Sequence, residues 1–128
     1  MHVPIPYLTF AGWCADRYGA PLHRVPLDLG FGCPNRAADG TGGCAFCAED
    51  GGRARQLADA ATVEEQVAAG LHFARRRYRA RAFMAYVQAF TGTFAPESEQ
   101  RALIERILDQ HPFQAISIGT RPDCLPDP

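Results

Sequence analysis

Apolar positions along this chain alternate between two kinds of pattern. Val63, Val67, Leu71, Ala74 and Tyr78 recur at helical spacing and give one buried face. Thr62-Val63-Glu64-Glu65 in front of them fits a capping box, with the Thr62 hydroxyl accepting from a first-turn amide and Glu65 reaching back. The stretch ESEQRALIERILDQH (97–111) predicts a second amphipathic helix, with Leu103, Ile104, Ile107 and Leu108 inward and Pro112 as its stop. Between and around these helices lie three short apolar runs without helical period. VPLDLGF (25–31), AFMAYVQAF (82–90) and FQAISIG (113–119) each read as a buried strand. Residues 1–24, broken by Pro4, Pro6 and Pro21, read as an irregular segment that has room for a short helix near 9–18.

The order strand, helix, strand, helix, strand argues for an α/β fold of right-handed βαβ units on a parallel sheet. In such sheets the loops that leave the C-terminal strand ends share one face, where ligands bind. Here those loops are the stretch after residue 31, QAFTGTF (88–94) and GTRPDC (119–124). The pattern alone therefore brings the three oddest segments of the chain together.

Composition narrows the class. A chain of 128 residues holds one domain at most, and 47% hydrophobic content argues against disorder. A formal charge of −1 gives no overall attraction to nucleic acid or anionic membrane. No run is apolar and long enough to span a bilayer. The start MHVPIPYLTFAGW lacks the basic and apolar regions of a signal peptide. The reading is a cytoplasmic protein with no membrane partner.

Five cysteines are present, and three of them, Cys33, Cys44 and Cys47, sit in the glycine-rich stretch GFGCPNRAADGTGGCAFC (30–47). Clustered thiols without an export signal point to a metal site before a disulfide framework. Zinc normally takes four ligands, and Cys14, Cys124 or His23 could supply the fourth. A cubane iron–sulfur cluster is the other reading, because three thiolates leave one iron open to a substrate or cofactor. Gly40, Gly42 and Gly43 would let the backbone approach a cluster closely and donate amides to its sulfurs. This loop is no phosphate loop, since it lacks the Gly-Lys-Ser/Thr ending.

The segments RYGAPLHRVPLDLGFGCPNR (17–36), GTGGCAFC (40–47), AYVQAFTGTF (85–94) and SIGTRPDCLPD (117–127) together resemble the radical S-adenosylmethionine superfamily. Within it they look like the Elongator-catalytic-subunit-like branch with the CPNR…GGC.FC loop. The resemblance implies a 4Fe–4S cluster on Cys33, Cys44 and Cys47. The open iron would chelate S-adenosylmethionine, and an electron donor would drive its cleavage to a 5′-deoxyadenosyl radical. It places Phe46 near the adenine, and Gln88, Thr91 and Thr93 against the methionine end. Arg121 and Asp123 enter the pocket by location only. Residues 25–128 would form the N-terminal part of the core domain, the first half of a partial (β/α)6 TIM-type barrel. On this reading the chain is truncated, and the strand carrying Ile116 and Ile118 is left as an open hydrophobic edge. The substrate is open, with RNA a candidate. A zinc-binding structural or interaction module is the alternative.

Other residues have plainer readings. Cys14 and Cys124 read as lone structural thiols, and His23 as a surface residue. His111 ends a helix, where a cation is favourable. Phe83, Tyr86, Phe90 and Phe94 read as core. The run ARRRYRARAF (74–83) reads as a solvated helix end whose five arginines could alternatively dock on an RNA backbone.

Overall fold

The computed structural model describes residues 5–57 and 59–127; Pro4, one of the expected breakers, lies outside them. The element order is α1 (Phe10–Tyr18), β1 (His23–Leu27), α2 (Val63–Tyr78), β2 (Phe83–Val87), α3 (Glu97–Gln110) and β3 (Ala115–Ile118). All three strands are parallel and lie in the order β1-β2-β3. This is an α/β fold with alternating strands and helices on an open sheet.

The helices start and stop where side-chain chemistry dictates. Thr9 caps α1 through its side chain, and Gly19 ends it at φ 78°. At α2 the capping box is present, with Thr62 Oγ1 accepting from the Glu65 amide and Glu65 returning the bond to the Thr62 amide. Pro96 opens α3 without a side-chain cap. The Arg106 guanidinium ties α3 to the start of α2 through two bonds to Glu64, at 2.7 and 2.8 Å.

Both crossover helices lie on one face of the sheet. Val25, Leu27, Phe83, Ala85 and Val87 join Val63, Val67, Leu71, Ala74 and Ile107 in a single core. Gly70 is required at the closest approach, because a Cβ there would stand 2.7 Å from Val25 Cγ1. On the other face Met84 packs with Cys14 and Leu22, and Tyr18 and Ala115 lie against them, so α1 covers one end of that face. Cys14 is fully buried, in keeping with a structural thiol.

Four sequence expectations shift. The first strand runs over His23–Leu27 and not 25–31, and Gly30 at φ 76° already belongs to the loop. Tyr78 is 54% exposed, because it sits at the last turn of α2, beyond the sheet edge. Leu108 is 43% exposed, leaving Ile107 as the buried anchor of α3. His111 is also not the favourable cation expected. Burial, with Arg75 adding to it, lowers its pKa, and its ring meets Phe83 and Phe113 edge-on.

Candidate functional site

Three loops leave the C-terminal ends of the strands, and backbone hydrogen bonds stitch them together. The Thr91 amide donates to the Gly32 carbonyl and the Phe90 amide to the Gly51 carbonyl, each at 2.9 Å. The Gly92 amide donates to the Gly119 carbonyl at 3.0 Å, and the Gly119 amide to the Val87 carbonyl at 2.7 Å. The convergence expected from the element order is therefore present. Phe90 takes a φ of 56°, costly for an aromatic residue, and Gly51 makes room for its ring.

The cysteine loop is built around Arg36. CPNR (33–36) is a β-turn closed by the Arg36 amide on the Cys33 carbonyl. The guanidinium of Arg36 then donates to the carbonyls of Gly40, Ala48 and Glu49, while lying 5.3 Å over the Phe90 ring. Sequence reasoning gave Arg36 no role, although it stands in the quoted motif. A short bridge joins Arg36 to Gly42.

Within this frame the three thiols have separate settings. Cys33 is half-buried beside Thr91, which is 2% exposed. The Thr91 side chain is the largest influence lowering the Cys33 pKa; burial, the next largest, works against it, and the Asn35 amide, Arg121 and Arg36 add smaller lowering effects. Cys44 accepts the Asn35 side-chain amide at 3.0 Å. Cys47 is exposed at the end of the next turn, its amide on the Cys44 carbonyl. Within that second turn, Phe46 is 89% exposed.

Among the described residues no group of three or more histidine, cysteine, aspartate or glutamate side chains is gathered to hold a metal ion. This corrects the expectation of a 4Fe–4S cluster on Cys33, Cys44 and Cys47. The radical S-adenosylmethionine identity, the S-adenosylmethionine cofactor, the enzyme assignment and the zinc-module alternative all rested on such a group and are corrected with it. The physical reason lies in the loop: Arg36 donates to the carbonyls of Gly40, Ala48 and Glu49 and Asn35 to the Cys44 thiol, and Cys33 sits in a different turn from Cys44 and Cys47.

The remaining candidates divide. Thr93 lies with the third loop, its hydroxyl bonded to Thr120 Oγ1 and the Cys124 carbonyl. Gln100 of α3 holds the same turn by donating to the carbonyls of Thr93 and Ala95. Arg121 pairs with Asp123 through two bonds of 2.9 Å. Burial first, and Asp123 next, raise the pKa of the neighbouring Cys124 thiol. Gln88 is not in this group; it is exposed and lines a groove beside Tyr86. Among the described residues no helix is long and apolar enough to cross a membrane.

Comparison with known proteins follows this geometry. The chain is 39% identical over 122 residues to protein YhcC of Escherichia coli (strain K12), covering 92% of this chain and 37% of that protein. It is 38% identical over 127 residues to the uncharacterized protein YtqA of Bacillus subtilis (strain 168), covering 94% and 38%. To the uncharacterized protein MJ0486 of Methanocaldococcus jannaschii it is 28% identical over 121 residues, covering 93% and 36%. No family model and no solved structure matches. The chain thus spans somewhat more than a third of the length of the curated relatives it matches.

Proposed function

We propose that the cysteine loop is a thiol-based site in which Cys33, as the thiolate, displaces a leaving group from an electrophilic carbon of a small polar ligand, the new S–C bond replacing the bond to the group that departs with its electron pair. The observation that carries this reading is the environment of Cys33: a partly accessible thiol whose pKa is lowered by Thr91, with Asn35, Arg121 and Arg36 contributing. Thr91 and Thr93 would orient the ligand. Phe46 would close over it from the exposed turn.

The same proposal extends to the fold: residues 25–128 form the N-terminal part of a larger, singly wound sheet of the partial TIM-barrel kind. Its support is the strand order β1-β2-β3 with α2 and α3 on one face, where a doubly wound sheet would reverse direction. Ile116, 38% exposed on β3, would then be covered by later parts of a longer protein.

The test is the rate of iodoacetamide alkylation at each cysteine as a function of pH, read by peptide mass mapping. Cys33 should react ahead of the more exposed Cys47 at neutral pH, with a midpoint below the ordinary thiol value. Thr91→Val should move that midpoint up and slow the reaction at neutral pH. The sign follows from the lowered pKa: the folded chain holds the thiolate at pH values where the unfolded chain is protonated. The associated stability is complete above the unfolded value and lost as pH falls through the folded one. Cys33 reacting no faster than Cys47 would overturn the reading.

A further inference from the structure

We infer that the ligand of the thiol site carries an aryl arm, seated in a cavity that opens beside Cys33. The inference rests on the thiol reading above and names the substrate class of that site, an electrophile with an aromatic hydrocarbon substituent. The cavity holds about 530 Å³; Phe31, Phe90, Phe94, Ala37 and Ala38 form its walls, and Cys33 is part of the lining. Small-molecule sites occupy about 300–1,000 Å³. The chemistry of this one is one-sided. Of the side chains that line it, only those of Cys33 and Arg36 are polar. The Arg36 guanidinium is already committed to the carbonyls of Gly40, Ala48 and Glu49. Backbone donors of the lining are committed too: the Gly30 amide to the Asp28 carboxylate at 2.8 Å, and the Ala37 and Gly40 amides to the Thr41 and Ala37 carbonyls at 2.9 Å. A charged or hydroxylated arm would lose water there and find few partners, whereas a hydrocarbon arm needs none.

The aromatic walls are not a by-product of the core. Phe31 packs against the main buried cluster, but Phe90 and Phe94 belong to neither cluster, and Phe94 is 44% exposed. Phe90 is nevertheless held at φ 56°, with Arg36 5.3 Å over its ring and Gly51 leaving room for it. A residue kept in a costly conformation outside the core points to a role for its ring at the cavity. Rings favour an aryl arm over an alkyl chain of equal area, because aromatic pairs gain from their geometry beyond burial. The step leaves the arm in place. The Cys33 thiolate, its proton already lost to solvent, forms the S–C bond, and the bond from that carbon to the leaving group breaks, the group departing with the electron pair. The arm stays joined to the carbon now held by Cys33, and no oxidant or reductant is consumed. The polar end of the ligand faces Thr91 and Thr93.

The test compares two reagents on the full chain, iodoacetamide and N-benzyl iodoacetamide, which share the electrophilic carbon, the leaving iodide and the amide and differ in the arm. Rates at each cysteine are read by peptide mass mapping, and the benzyl-to-parent rate ratio at Cys33 is divided by the same ratio at the exposed Cys47. That quotient should be at least about tenfold, the discrimination a hydrocarbon pocket gives for even a small added group. The benzyl reagent should also saturate at Cys33, whereas iodoacetamide stays linear with concentration. Phe94→Ala should lower the quotient about fivefold by removing one wall, and Phe94→Leu, which keeps apolar bulk, should retain most of it. If Cys33 reacts ahead of Cys47 with iodoacetamide but the quotient is near one, the thiol reading stands and the aryl arm is overturned. If Phe94→Ala leaves the quotient intact, the preference does not come from this cavity and the inference is overturned equally. Cys33 slower than Cys47 with iodoacetamide itself overturns the thiol reading and this inference with it.

Discussion

Gly92 offers the sharpest test of how the site is built. It lies next to Thr91, and its amide bonds to the Gly119 carbonyl, so it joins the second loop to the third. A Cβ at this position would stand 2.9 Å from the Gly119 carbonyl oxygen, from Ile118 Cγ2 and from Val87 Cγ1. Val87 is fully buried and cannot swing away, and the carbonyl belongs to the backbone. Overpacking of this kind costs about 1–3 kcal/mol. Forcing the carbonyl outward weakens its bond to the Gly92 amide, a further loss of about 0.5–1.5 kcal/mol. Against this, exchanging glycine for alanine removes freedom from the unfolded chain and returns about 0.4–1 kcal/mol. Gly92→Ala should therefore destabilise by about 2 kcal/mol. For a chain of this size that is a fall in Tm of about 6–10 °C, read by far-ultraviolet circular dichroism. The alkylation rate of Cys33 should fall as well, because Thr91 moves with Gly92. An unchanged Tm together with an unchanged Cys33 rate would refute the reasoning.

Two other outcomes follow from buried polar groups. Gln66, 3% exposed, accepts from the Asp28 amide at 2.7 Å and donates to the Asp28 carbonyl at 3.0 Å. Gln66→Leu should cost about 2 kcal/mol in urea denaturation by stranding both backbone groups, and a neutral result would show that water reaches them. His111 has its pKa lowered by burial and by Arg75, so the fold favours the neutral ring. Its contribution is complete above the ordinary histidine value of about 6.5 and is lost as pH falls through the folded value. His111→Gln should flatten that part of the stability–pH curve, and an unaltered slope would contradict the assignment.

The sequence by itself determined the element order, the capped start of α2 and the meeting of the three loops. Each depends on local chemistry: a Thr62–Glu65 box, a helical repeat from Val63 to Ala74, short apolar runs between breakers. The resemblance named Cys33 as a cluster ligand and Thr91 as a cofactor contact; the structure shows only that the two side chains are neighbours. It did not reveal that Gln66 turns inward to bond Asp28, because a buried glutamine in an amphipathic helix looks like a surface residue until its partner is known. Tyr78 was misplaced because helical period says which face a residue occupies and not where the neighbouring sheet ends. The role of Arg36 was invisible for a related reason: its carbonyl partners Gly40, Ala48 and Glu49 are set by the path of the loop. The largest correction has the same origin. Spacing counts how many thiols a loop contains, but whether they converge on one point depends on backbone turns. Here Asn35 and Arg36 direct those turns so that Cys33 joins Thr91 and the other two thiols do not.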